Sequence, residues 1–321
     1  GELAGVLGIE PQQLRVVSLD VGGNFGTRNR VYVEFALVLW ASRVVERPVK
    51  YTASRSESFL SDYQGRDLHT CVTLGIGPDG TFQALRADNL SNLGARAVSL
   101  SPLSKGAALV TGSYTIPAAA VRTRAAFTNT VPTQAYRSSG RPEVNFALER
   151  AIDTAARTLH LDPIAIRRRN LVTRESMPFT NPIGATYDSG AYEQALDKAV
   201  DAADLPGFAA RKAITEALGK CRGLGIAHYV ESSIGAPHER AEIRIGVDGR
   251  TRLVIGTQPT GQGQETSFAQ VTADCLGIDF SDIDVVTGDT AIVSSGGGSH
   301  SGRSMRHAGT VISMAAEDLI G

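Results

Sequence analysis

The stretch TRLVIGTQPTGQGQETSFAQVTADCL, residues 251–276, decides the fold class. Thr251 to Ile255 concentrate β-branched and apolar residues and predict a strand. Gly256 to Gln264, punctuated by Pro259 and by Gly261 and Gly263, predict a loop. A helix then runs to Leu276. Strand, glycine loop and helix in direct succession place sheet and helix in one domain, so the class is α+β, with mixed sheets packed with helices. Upstream, the Asp248-Gly249 turn joins this strand to another at Ala241–Val247. Downstream come a strand at Ile283–Val286, a loop from Gly288 to Gly302, and a last helix to Ile320.

The first half of the chain repeats the pattern. Leu14–Leu19 reads as a strand, Asp20–Asn29 as a glycine-rich loop, and Val31–Val45 as a largely buried helix. Val49–Thr52, His69–Leu74, Phe82–Asp88 and Val121–Thr128 read as further strands. Gly75-Ile76-Gly77-Pro78-Asp79-Gly80 matches GxGxxG, but strand pattern follows it where a dinucleotide site needs a helix. It is therefore read as a hairpin turn. After an irregular loop, Asn129–Arg141, Pro142 opens a helix with Val144, Leu148, Ala151, Ile152, Ala155 and Leu159 on one face. Asp162-Pro163 opens a shorter helix ending near Asn170. Residues 171–190 are rich in Pro, Gly, Thr and Asn and mark a boundary, giving domains 1–172 and 173–321. Beyond it, Ser189 can cap a helix to Ala203. A second helix spans Pro206–Leu218 and a strand Gly223–Val230.

Composition narrows the function. With 32 basic and 33 acidic residues the 321-residue chain carries a formal charge of −1, so no overall field draws it to nucleic acid. Cys71, Cys221 and Cys275 lie far apart and form no CxxC pair, which argues against iron–sulfur clusters, zinc sites and a disulfide scaffold and favours the cytoplasm. The longest apolar runs, such as Phe35–Trp40, are far below the ~20 residues of a membrane span.

Three segments share one design, an extended approach, a loop of glycine and small polar residues, and a helix. They are Asp20–Thr27, Gly256–Gln264 and Gly296–Ser304. Glycines bring backbone N–H groups close to a ligand and the helix N-terminus behind favours negative charge, so such loops suit phosphate or an oxo-metal group. A fourth segment, Gln134–Glu143, sets Arg137 and Arg141 among small residues before a helix. A guanidinium there can stabilise charge developing on a substrate oxygen, or pair with carboxylates such as Glu143. Glu231, in Tyr229–Ser233, and Glu239 read as solvated or salt-bridged carboxylates. His300 reads as a hydrogen-bonding residue within its glycine loop, and Arg167-Arg168-Arg169 as a solvated helix end.

In this order the segments resemble the molybdopterin-binding large subunit of the xanthine dehydrogenase, aldehyde oxidase and carbon monoxide dehydrogenase family. The likeness runs over nearly the whole chain: DVGGNFG from Asp20, RPVKYTASRSESF from Arg47, AYRSSGRPE from Ala135, LDPIAIRRRNLV from Leu161, GTQPTGQGQET from Gly256, and GDT from Gly288 followed by GGGSHSGRSM from Gly296. The resemblance implies a two-domain molybdopterin-binding hydroxylase architecture and a molybdopterin, as its cytosine dinucleotide, carrying molybdenum with oxo and sulfido ligands. Gly23, Phe25 and Gly26 would hold the cofactor in the first loop, Gln262 and Gly263 in the second, Ser299, Ser301 and Arg303 in the third. Arg137 and Gln262 would serve catalysis, Arg137 facing the substrate and also reaching the cofactor. No side chain would ligate the metal. The implied reaction is hydroxylation of an aldehyde or N-heterocycle by water, with electrons leaving through an iron–sulfur subunit and an FAD subunit.

Two departures shape the expectation. Carbon monoxide dehydrogenases carry a cysteine after the loop arginine to bridge copper to molybdenum, whereas this chain has Ser138, which speaks against CO oxidation. The family's base is a glutamate in a late GxGE motif, and residues 1–321 contain no GxGE. The chain thus reads as a central fragment truncated at both ends, inactive alone and purifying without cofactor. An uncovered pocket would expose apolar surface and promote self-association. The alternative is a non-catalytic structural or binding module, or a degenerate subunit. A phosphate or nucleotide binder using the same loops is a third reading.

Overall fold

The computed structural model describes residues 1–232 and 235–321; Ser233, the end of the segment carrying Glu231, lies outside them. The chain groups into two compact units, Gly1–Leu60 with Ser232–Gly321, and Ser61–Glu231. Unit one therefore joins the two ends of the chain, and unit two is its middle.

In unit two, Leu68–Ile76 pairs antiparallel with Phe82–Gly94, which pairs in parallel with Ala118–Phe127. The turn Gly77–Gly80 closes the first pair: Gly77 N donates to Thr81 O at 2.9 Å and Gly80 takes φ +86°. The GxGxxG match is thus a hairpin turn, as read. Helix Arg141–Thr158 buries Val144, Leu148, Ile152 and Ala156, which pack with Phe82, Leu85 and Ala87 of the sheet. Its spacing is the 3.6-residue period seen in the sequence. Asp162 caps helix Pro163–Asn170, accepting from Ala165 N at 2.7 Å. Helix Ser101–Ala108, crossed by Pro102 and Gly106, had no periodic signal in the sequence.

In unit one, Ala241–Ile245 pairs antiparallel with Thr251–Ile255, and the latter runs parallel to Ile283–Val286. Helix Gln264–Leu276 connects the parallel strands, as such pairs require. Helix Arg303–Ile320 packs on it, and Leu253, Ile255, Phe268, Ala308 and Ile312 form the core between sheet and helices. The decisive stretch 251–276 is strand, loop and helix where the residue pattern put them.

Other readings give way to tertiary contacts. Leu14–Leu19 makes a single bridge, Val17 to Asp289, and among the described residues Val49–Thr52 and Gly223–Val230 form no strand. The cap of helix Tyr192–Ala202 is Ala191, while Ser189 Oγ turns to Asp188. Arg167 is wholly buried rather than solvated, since Glu149 and Asp153 wait for it on the neighbouring helix. Helix Val33–Val45 is helical as read, yet none of its residues is buried. Phe35, Leu37 and Trp40 are each more than half exposed. Apolar composition made this helix look like core, but burial depends on what is packed against it.

Candidate functional site

The three glycine loops meet within unit one. Gly261 of the second lies against the first, where a Cβ on it would sit 3.6 Å from Gly23 N and 3.9 Å from Val21 O. Gln262 of the second reaches the third, its Nε2 donating to Ser299 Oγ at 2.7 Å. Second and third loops also touch backbone to backbone, because a Cβ on Gly256 would lie 2.3 Å from Gly296 Cα. Only glycine permits that approach. Gln258 Nε2 fastens the second loop to the strand-like approach of the first through Ser18 O at 3.1 Å and Ser18 Oγ at 2.7 Å.

Two helices begin at this cluster. Gly263 is the N-cap of Gln264–Leu276 at φ +69°, and Gly302 that of Arg303–Ile320 at φ +69°; neither helix has a side-chain cap. Their first-turn N–H groups are therefore left to other acceptors, and the helix dipoles favour an anion there. A Cβ on Gly22, Gly263 or Gly298 would meet nothing within 4 Å, so space is open over these backbones. Ser299 Oγ sits 2.9 Å from Ser304 Oγ and adds hydroxyls to the set. Among the described residues no three His, Cys, Asp or Glu side chains gather to hold a metal ion. A donor-rich, glycine-lined cradle without side-chain ligands fits a pterin with phosphate and an oxo-metal that carries its own ligands.

The remaining loop residues divide by role. Phe25 takes φ +51° and is 60% exposed. Its ring folds back over Gly23, where a Cβ would sit 2.8 Å from it. Gly26 N donates to Asn24 Oδ1 at 2.7 Å, an Asx turn that fixes the first loop. Ser301 Oγ lies 3.1 Å from His300 Nδ1, and His300 Nε2 lies 3.0 Å from Gly297 O, so His300 is a hydrogen-bonding residue, as read. Arg303 is wholly buried and grips the loop from beneath, donating to Gly298 O at 2.6 Å, His238 O at 2.8 Å and Ala236 O at 3.1 Å. Its Nη1 also pairs with Glu239 Oε2 at 2.8 Å. Burial would raise the Glu239 carboxyl, but hydrogen bonds from Thr257 and Arg303 outweigh it and hold it below its ordinary value. Of the two roles read for Glu239, solvated or salt-bridged, the second is the one it takes.

In unit two, the Arg137 segment is a strained loop. Arg137, Ser138, Ser139 and Gly140 take φ of +22°, +71°, +41° and +85° in succession. Non-glycine residues in this region persist only where the surroundings impose them, and such strain gathers at functional sites. A Cβ on Gly140 would lie 1.7 Å from Pro102 O. Arg141 pairs with Glu231, and Glu143 with Arg66 at 3.1 Å. The carboxylate partner of Arg141 is thus Glu231, from 90 residues away, and Glu143 is taken by an arginine the sequence did not single out.

Both halves of the chain match known proteins. Residues 1–171 and 198–321 each match a molybdopterin cofactor-binding domain. The chain belongs to the molybdopterin-binding large-subunit family of xanthine dehydrogenase, aldehyde oxidase and carbon monoxide dehydrogenase. It is 34% identical over 97% of its length to the carbon monoxide dehydrogenase large chain of Hydrogenophaga pseudoflava, covering 41% of that protein. It is 32% identical over 97% of its length to the nicotine 6-hydroxylase large subunit of Paenarthrobacter nicotinovorans, covering 40% of it. The structure of quinoline 2-oxidoreductase from Pseudomonas putida 86 superposes with a TM-score of 0.91 at 32% identity, over 99% of this chain and 42% of that one. The chain therefore spans about 40% of the length of the relatives it matches. No helix among the described residues is long and apolar enough to cross a membrane. Within this family the glycine loops were legible as repeats of one design. Arg66 and the Arg303–Glu239 pair carried no such signal, since their partners are distant in sequence.

Proposed function

We propose that the full-length protein is a molybdenum hydroxylase that inserts water-derived oxygen into an aldehyde or an N-heterocycle. The observation that carries this reading is the meeting of three glycine loops with two uncapped helix N-termini in unit one. The cofactor is read as molybdopterin cytosine dinucleotide, held by Gly23, Phe25 and Gly26, by Gln262 and Gly263, and by Ser299 and Ser301, with Arg303, counted with them in the sequence, acting from beneath the third loop. When bound, it supplies a two-electron oxidant and the water-derived oxygen. Gln262, oriented by its bonds to Ser299 and Thr260, presents an amide at the meeting point of the loops. Arg303 keeps the third loop in place through Gly298 O. Arg137, of the strained loop, would stabilise negative charge that develops on the substrate.

Ser138 Oγ donates to Glu231, which leaves no thiolate and no idle hydroxyl after the loop arginine. That favours organic substrates over CO. The first cofactor-binding domain is taken as residues 1–172 and the second as 173–321, a division supported by the family matches. Electrons would leave through iron–sulfur and FAD subunits in the cytoplasm, and residues 1–321 alone would lack the glutamate base and be inactive.

The test is to denature the purified full-length protein and measure what is released. Molybdenum and a cytidine nucleotide, each near one per subunit, are expected. A nucleotide without molybdenum would make the cradle a simple nucleotide site and overturn the reading. Neither, together with no oxidase activity, would leave a structural module.

A further inference from the structure

Glu231 stands far from the Arg137 loop in sequence, yet its carboxylate accepts from both Ser138 Oγ and Arg141 Nη1. It is therefore attached to the loop on either side of the turn. Arg66 holds the opposite flank: its Nη2 donates to Arg137 O at 3.0 Å, its Nη1 to Glu143, and its guanidinium lies 4.9 Å from the Tyr136 ring centre. Beneath, Gly140 is pressed against Pro102 and Ser139 Oγ meets Ser101 Oγ at 3.1 Å. Within the loop's own backbone, Ser139 N donates to Tyr136 O at 2.9 Å and Arg141 N to Ser138 O at 3.4 Å. Positive φ on three consecutive non-glycine residues persists only where the surroundings impose it.

Charge makes Glu231 the decisive contact. Arg141 is mostly buried, at 11% side-chain exposure, and its Nε has no partner among the described residues. Lys105 is close enough that, after burial, Arg141 is the main cause lowering its ammonium from its ordinary value, while Glu231 acts in the other direction. Two cations thus crowd the loop base, and Glu231 is the carboxylate that Arg141 pairs with there. Without it Arg141 is repelled by Lys105 and Ser138 loses its acceptor.

We propose that Glu231 is the positioning residue of the substrate loop: by bridging Ser138 and Arg141 it imposes the left-handed run that aims Arg137. The assignment rests on the reading of the protein as a molybdenum hydroxylase. It also explains why Glu231 is not a base, since both carboxylate oxygens are engaged. A serine after the loop arginine then has a purpose of its own, as the hydroxyl through which the latch closes.

The experiment compares wild type, Glu231→Ala, Glu231→Gln and Glu231→Asp in the full-length complex. The readouts are molybdenum content, dye-coupled oxidation of benzaldehyde and quinoline, and hydrogen exchange of the Ser139 and Arg141 amides. Glu231→Ala is expected to keep its molybdenum, to lose on the order of 10²-fold in kcat with KM moved far less, and to exchange both amides faster. Glu231→Asp is expected to recover much of both. Glu231→Gln, which retains the shape without the charge, should fall between them and carries the test if the alanine variant does not fold. Unchanged exchange, unchanged kcat, or an aspartate variant no better than alanine overturns the proposal; so does loss of molybdenum in step with activity. If the wild type holds no molybdenum and oxidises neither compound, the hydroxylase reading fails, and the exchange measurement alone still decides whether Glu231 holds the loop.

Discussion

Each compact unit buries an arginine–glutamate pair, and Arg303–Glu239 and Arg167–Glu149 differ in what they hold. Arg303 and Glu239 in unit one are both wholly buried, and Arg303 spends most of its donors on loop carbonyls, those of Ala236, His238 and Gly298. Arg167 and Glu149 in unit two are equally hidden, but they tie helix to helix, with Asp153 and Pro163 O as further acceptors and Tyr114 donating to Glu149 at 2.6 Å. The carboxyls also move oppositely. Burial pushes Glu149 up despite Arg167, whereas Glu239 is held down. Part of the difference is backbone: Glu239 accepts from Arg240 N at 3.1 Å and faces Gly297 N at 3.4 Å, donors that favour the ionised form. One pair staples a glycine loop, the other a core.

Removing either arginine leaves a buried carboxylate without its partner, a loss of about 3–5 kcal/mol, so Arg303→Ala and Arg167→Ala are the largest expected effects. Chemical denaturation of the full-length protein should show similar losses for both. Amide exchange separates them, because only Arg303→Ala should free residues 296–304. Equal exchange in the two variants would erase the distinction between staple and core pair.

Gly140→Ala comes next, at roughly 1–3 kcal/mol for forcing a side chain into left-handed backbone, with more if Pro102 cannot retreat. It should leave the exchange of both arginine pairs untouched, which a melting curve combined with amide exchange would verify.

Acid stability sharpens the contrast further. Glu239 has a lowered folded value, so its contribution is present above the ordinary glutamate value and is lost as pH falls through the folded one. Glu149 has a raised folded value, so its contribution is complete below the ordinary value and fades as pH rises through the folded one. Stability curves of Glu239→Gln and Glu149→Gln against pH should therefore depart from wild type with opposite slopes. Parallel departures would contradict the two environments.

The smallest effect belongs to the pair Arg15–Asp289, at 2.6 Å, whose arginine is exposed. Its side-chain hydrogen bond draws Asp289 down to about 2, and Arg15→Ala should return that carboxyl toward its ordinary value in an NMR titration with little change in stability. Thr290 N to Val16 O at 3.0 Å keeps the two segments joined.

Local pattern carried much of this molecule into view. The strand, loop and helix of residues 251–276, the hairpin at Gly77–Gly80, the capped helix at Asp162 and the glycine loops are all set by neighbours within a few residues, through φ preference, period and capping. The family followed from their order. What escaped were contacts between distant residues. Helix Val33–Val45 read as core because apolar content was all that could be weighed. Arg167 read as solvated because its run of arginines hid which one met Glu149 on the neighbouring helix.

By itself, then, the sequence determined most of the helices and paired strands, the glycine loops and the family, since each depends on short-range geometry or on ordered motifs. Only the tertiary structure decided which charges are buried and what they fasten: Arg303 to Glu239, Arg167 to Glu149, Arg141 to Glu231. The physical reason is desolvation. A charged side chain is cheap in water and costly in a core unless a partner meets it there, and whether one does depends on residues tens of positions away.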